Sequence, residues 1–190
     1  MSNAEILKLG DKLKNANAAA VNRAAATAVT AVSKLIRDKY NFKKKDLDEH
    51  IKIISKASPD NSSVTVKISK AAVALINFNA TQVGKGGRPK KGKGPRTKQG
   101  VKATVEKGNR LLYRPNTIGS FISTMKSGHT GVFARESNEK NAPIKELWGV
   151  NLIQLVNPKS GNSLVMDTLR QTFQDAYEKR LNHEVERRFK

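Results

Sequence analysis

Cysteine is absent from the chain, which excludes disulfides and thiolate metal sites and fits synthesis inside a cell. Aromatic side chains make up 5% of the sequence, too few for a platform on which bases stack. Any nucleic-acid contact is therefore expected at phosphates. No apolar run approaches the roughly 20 residues that cross a bilayer, and the polar N-terminus does not read as a secretion signal, so no membrane contact is expected. Acids are scarce as well: 16 Asp and Glu stand against 36 Lys and Arg, a formal charge of +20. That balance points to a polyanion as partner, either nucleic acid or an acidic protein surface.

The excess is unevenly placed. Residues 61–105 hold ten Lys or Arg and no acid, so 45 residues carry half of the net charge. At the centre of this region lies 84–98, GKGGRPKKGKGPRTK, with seven basic residues, five glycines, two prolines and no apolar side chain. Its bases are Lys85, Arg88, Lys90, Lys91, Lys93, Arg96 and Lys98. Prolines interrupt helices and sheet ladders, and every glycine adds entropy that ordering must overcome. The stretch reads as an exposed, mobile arm that presents charge to DNA or to an acidic partner. The bland alternative is a solubilising insertion.

Around the arm, 190 residues suffice for one domain with a real core. Residues 3–40 read as one long helix, because Ile6, Leu9, Leu13, Ala16, Ala20, Ala24, Ala28, Ala31 and Leu35 recur three or four apart. Nine alanines between Ala16 and Ala31 favour helix and let a neighbour approach closely. This stripe reads as a core face or, being long, as a subunit interface. Asp46 is placed to cap a short turn through 47–50. Residues 51–57 and 64–68 form a hairpin around Ser58-Pro59-Asp60-Asn61. Residues 72–78 are apolar without a decisive period, strand or buried turn.

Beyond the arm, Val101, Ala103 and Val105 alternate with Lys102 and Thr104, and Lys107-Gly108-Asn109 turns that strand toward 110–113. A further pairing joins 121–125 to 132–135, and 144–148 is a last extended piece closed by Gly149. The arm thus interrupts an antiparallel meander, where a sheet tolerates insertions. After an apolar turn at 151–156, Ser163 caps a final helix with Val165, Leu169, Phe173, Tyr177, Leu181, Val185 and Phe189 four apart. Such a stripe drifts about 40° per step, so its second half is expected to leave its own sheet and meet another surface. Arg187, Arg188 and Lys190 suit the negative pole of that helix.

Catalytic signatures fail on inspection. Gly87-Arg88-Pro89-Lys90-Lys91-Gly92-Lys93 fits the front of a P-loop, but Gly94 stands where the magnesium-binding hydroxyl belongs and Pro95 where a helix should begin. His183-Glu184 opens like a zinc-protease helix, but Arg187 occupies the place of the second histidine. No catalytic residue, metal site or cofactor is expected. The most distinctive text is Gly128-His129, Gly131-Val132-Phe133 and Arg135, followed by Ala142-Pro143-Ile144-Lys145-Glu146-Leu147-Trp148-Gly149. It reads as a glycine-punctuated hairpin and an extended segment ending at a bulky aromatic. His129 is expected to bond its own turn, and Trp148 to anchor a core or an interface. Gly128, His129, Gly131, Phe133, Arg135, Pro143 and Trp148 are thus candidate structural or interface residues.

This block, taken in order with its neighbours, resembles the minor tail protein Z family of lambda-type phages and prophages. The likeness includes an alanine-rich first helix ending in Ile36-Arg37-Asp38-Lys39-Tyr40-Asn41, Asp46-Leu47, the apolar 75–78, then 101–107 and Phe121-Ile122. It ends with the glycine block, Pro143-Ile144-x-Glu146-Leu147-Trp148-Gly149 and a long last helix. It covers nearly the whole chain, and any special role for the arm rests on this sequence alone. The resemblance implies a virion structural protein near the head-proximal end of the tail, linked to tail completion and placement of the DNA end, and it brings no catalytic residues.

The expectation is therefore a single α+β domain over 1–190, mainly antiparallel sheet of five or six strands packed by an N-terminal and a C-terminal helix. Its function is a structural one in tail assembly or completion, made in the host bacterial cytoplasm and carried in the virion tail. It is homo-oligomeric there, beside other tail or neck proteins and phage DNA. The alternative is a free, sequence-indifferent DNA- or RNA-binding protein, and a nuclease is the distant third.

Overall fold

The structure, a computed structural model, describes residues 3–70, 72–83, 100–113, 119–137, 139, 142–156 and 164–189. In chain order it runs α1 (Asn3–Lys39), α2 (Lys44–His50), β1 (Ile51–Ser55), β2 (Thr65–Ile68), β3 (Ala72–Ala74), a 3-10 turn (Leu75–Asn77) and β4 (Thr81–Val83). There follow β5 (Gly100–Glu106), β6 (Asn109–Tyr113), β7 (Ser120–Thr124), β8 (Thr130–Arg135), β9 (Ile144–Glu146), β10 (Trp148–Asn151), α3 (Leu152–Val156) and α4 (Leu164–Phe189). The mixed class and the antiparallel pairing agree with the sequence, but the strands form four small sheets, β1-β2, β3-β10, β4-β5-β6 and β7-β8-β9. Short strands separated by turns change partner often, and periodicity does not report partners.

Two compact units emerge, each gathered from separated stretches of chain. The first unit takes Met1–Ile36, Leu47–Lys70 and Leu152–Lys190. Ala16, Ala20, Ala24 and Ala28 are buried as the stripe predicts, continued by Val32 and Ile36 rather than by Ala31 and Leu35. Ile6 and Leu13, at the start of the stripe, are exposed. A side patch of Ala18, Val21 and Ala57 receives Val64, Phe173 and Tyr177. Here alanine's thinness matters, because aromatic rings from α4 settle on a helix that offers no bulk. The Phe173 and Tyr177 rings stack at 6.1 Å, and Tyr177 donates to Asn17 Oδ1 at 2.8 Å. Asn22 reads the chain just beyond β1, donating to Ala57 O at 2.9 Å while Ala57 N donates to its Oδ1 at 2.8 Å.

The β1-β2 hairpin keeps its expected alternation, with Val64, Val66 and Ile68 half-buried and Thr65 and Lys67 exposed. Helix α2 begins two residues before Asp46, which sits in its first turn rather than as its cap. A carboxylate is favoured there too, beside the positive pole. Ser163 lies outside the described residues. The second half of α4 does not leave its unit. Glu184 on α4 is fully buried and bound to Arg23 of α1, and Lys12 lies 5.7 Å over the Phe189 ring. The drift argument assumed a flat sheet as neighbour, but the neighbour is another helix.

The second unit takes Arg37–Asp46 and Ala71–Asn151. The end of α1 is tied to β5, with Asn41 N donating to Val105 O at 2.8 Å and Lys107 N to Lys39 O at 2.9 Å. Phe42 meets the fully buried Phe78 edge-on at 5.1 Å. Residues 72–78 resolve their ambiguity by doing both, a three-residue strand and then a 3-10 turn. The piece 144–148 divides at Leu147, whose N–H donates to Val132 O at 2.7 Å while its carbonyl accepts from Leu75 N at 3.0 Å. β9 stays with β8 and β10 goes to β3. Gly149 consequently lies inside β10 instead of closing a turn.

Candidate partner interface

The glycine block builds the three-stranded sheet β7-β8-β9. Gly128, at φ +83°, supplies the left-handed residue of the turn before β8 and donates to Met125 O at 2.9 Å. Gly131 lies under the Glu146 side chain, where an added Cβ would come within 2.6 Å of its Oε1. Phe133 is buried between Phe121 and the His129 ring, each centroid 6.3 Å away. Arg135 donates to Ala142 O at 2.8 Å, and Pro143 O accepts from Glu136 N at 2.9 Å, so the loop before β9 is pinned to the end of β8.

The structure thus brings Gly128, His129, Gly131, Phe133, Arg135 and Pro143 into one sheet and its turns. The His129 ring does not bond its own turn. Nε2 pairs with Glu146 Oε1 at 2.9 Å, across from β9. Sequence reasoning missed Glu146 as that partner, although Phe133 and Glu146 are register partners. Trp148 departs from the group on β10 and is 53% exposed, so it is no core anchor. Ile144 on the edge strand β9 is exposed as well. Large apolar groups facing water on sheet edges suit contact with another protein. Trp148→Ala is expected to lower unfolding free energy by less than about 2 kcal/mol, short of the roughly 3–5 of a fully buried ring, since about half of the residue faces water. A calorimetric scan checks this, and a loss above that limit would make Trp148 a structural anchor after all.

The arm residues Lys85, Arg88, Lys90, Lys91, Lys93, Arg96 and Lys98 lie outside the described residues. The strands on either side are described: β4 and β5 pair antiparallel, and Val83 and Gly100 are register partners. The two described residues that flank the basic segment are therefore neighbours on one ladder. Gln82, one residue before Val83, donates to Gly100 O at 3.1 Å and accepts from Ile122 N of β7 at 2.8 Å. The fully buried Ser120 accepts from Val101 N at 2.9 Å and donates to Tyr113 O. Burial also raises the Tyr113 phenol above its ordinary pKa. Four strands are stitched together by one amide and one hydroxyl at this root. Nothing in their sequence context singled out either residue.

Among the described residues no group of three His, Asp or Glu side chains gathers to hold a metal. No helix there is long and apolar enough to cross a membrane. No curated protein and no solved structure matches the chain. A family description does: "Prophage minor tail protein Z (GPZ)", over residues 5–190. The match runs through both compact units and carries the basic segment within it. The chain belongs to the prophage minor tail protein Z family, and with it to the structural proteins of the phage tail.

Proposed function

We propose that this protein completes the tail near its head-proximal end, as one of several copies, and that Lys85, Arg88, Lys90, Lys91, Lys93, Arg96 and Lys98 meet the phosphates of phage DNA there. The chain is synthesised in the host cytoplasm and carried in the virion. An acidic surface of a tail or neck protein is the second target of the same chemistry. The observation that carries the reading is the run of ten bases without one acid over 61–105, seven of which fall between the paired strands β4 and β5 of a tail-family protein. Phosphate contacts of this kind ignore sequence and weaken with salt, as a subunit facing any stretch of passing DNA requires. The proposal includes no catalytic step.

Replacing Lys90, Lys91 and Lys93 by glutamine tests the arm. Duplex affinity measured by fluorescence anisotropy over several salt concentrations should lose about 2.7 from the slope of log affinity against log salt, roughly 0.9 per lost phosphate contact. An unchanged slope removes the arm from the account. Particles assembled without the protein should carry tails that fail to join heads; normal joining would sink the completion role.

A further inference from the structure

Lys12, Arg23 and Lys34 stand eleven residues apart along α1. Eleven residues turn an α-helix three times with about 20° to spare, so the three share one face at steps of roughly 16 Å. All three are exposed, and α1 carries no acid between Asp11 and Asp38. Lys12 and Lys34 have no ion pair among the described residues.

At the middle of this row α4 adds two more cations. Glu184 accepts from Arg23 Nη1 on Oε1 at 2.5 Å, and from Arg187 Nη2 at 2.9 Å and Arg188 Nη1 on Oε2. Arg188 Nη1 also reaches the Glu184 carbonyl at 3.4 Å. One carboxylate among three guanidiniums leaves two positive charges unbalanced. Each guanidinium has five N–H donors, and Arg23 and Arg187 spend one apiece on Glu184 while their side chains are 47% and 57% exposed. An ion pair that served only to join two helices would need one arginine. The surplus cations repel one another until an anion arrives.

We propose that this face of α1, with Arg187 and Arg188 at its midpoint, is a second nucleic-acid site that grips the phosphate backbone independently of the segment 84–98. Its length selects the ligand. From Lys12 to Lys34 the row extends about 33 Å. An isolated acidic side chain meets one of its cations, whereas a duplex with a negative charge every ~1.7 Å of axis meets all of them. Glu184 acts as a positioning residue that gathers guanidiniums from two helices, and the bidentate fork of each arginine suits a phosphodiester's two free oxygens.

The test uses the full chain and a labelled 30-base-pair duplex of arbitrary sequence. Lys12→Gln with Lys34→Gln removes two charges that hold no ion pair among the described residues, and should lower the salt slope by about 1.8. The lost Lys12–Phe189 contact should lower the melting temperature by no more than about 4 °C. The loss should recur when Lys90, Lys91 and Lys93 are already glutamine, which separates this site from the arm. Failure of the arm variant alone leaves this site standing. Lys52→Gln with Lys67→Gln, exposed cross-strand partners on β1 and β2, is the matched control. An equal loss in that control, or none in the α1 pair, overturns the proposal. So does a loss of binding to polyglutamate with duplex binding intact, which would assign the face to an acidic protein.

Discussion

Phe78→Ala should cost about 3–5 kcal/mol of unfolding free energy and lower the melting temperature by roughly 10 °C. The ring is fully buried in the second unit, edge-on to Phe42, and the backbone on which it sits accepts from Thr104 N at 2.9 Å. Its other neighbour is Gly149, which approaches so closely that an added Cβ would collide with the ring edge. Alanine is ordinarily the better residue within a strand, so Gly149→Ala would stabilise if only local preference mattered. Overpacking reverses the sign, and Gly149→Ala should cost about 1–3 kcal/mol. The two changes must then fail to add. With Phe78 cut back to alanine, the space opens and Gly149→Ala should become nearly neutral, a coupling of at least about 1 kcal/mol in a double-mutant cycle. Equal costs in both backgrounds would mean that the close approach does not constrain the fold.

That pair also marks where sequence reading stops. Strands announced by strict alternation were found where expected, because alternation records a buried and an open face. Val101, Ala103 and Val105 are buried and Lys102 is exposed. Gly149 instead signals a turn by composition, while its actual reason is the ring of a residue 71 positions earlier. Long-range fit of that kind leaves no periodic trace. The division at Leu147 is similar: the chain stays extended and only its partner changes, from β8 to β3.

Polar residues were the least legible. Gln82, Ser120 and Asn22 each tie separate elements together through backbone groups, yet isolated Gln, Ser and Asn are residue types that mostly face water. Of the glycine block, the turn at Gly128 was readable because φ above zero has few occupants. The His129–Glu146 contact was not, since it depends on which strands become neighbours. The stripe on α4 carried the plainest error of inference. Phe173 and Tyr177 pack as an apolar stripe should, and then the fully buried place at the end goes to Glu184, which any hydropathy pattern assigns to water.

Glu184→Gln should cost about 2 kcal/mol at neutral pH. Removing one member of a deeply buried ionic cluster costs about 3–5 kcal/mol, but two of the three guanidiniums that cover this carboxylate, those of Arg23 and Arg187, are themselves half in water, so the loss is screened. Glutamine keeps the shape and one acceptor while removing the charge that holds three arginines together. The pH dependence identifies the cause. The hydrogen bond from Arg188 lowers the Glu184 pKa, desolvation opposes it, and the charges of Arg187, Arg23 and Arg188 add to the lowering. A lowered folded pKa binds fewer protons than the unfolded chain, so the contribution is complete above the ordinary carboxylate value of 4.5 and fades as pH falls from there through the folded value. Denaturant melts at pH 7 and at pH 3 should therefore show the native chain losing its advantage over Glu184→Gln on acidification. A gap of constant size across that range would trace the loss to shape instead of charge. Adding salt at pH 7 should narrow it only partly, because the short contacts lie inside a Debye length.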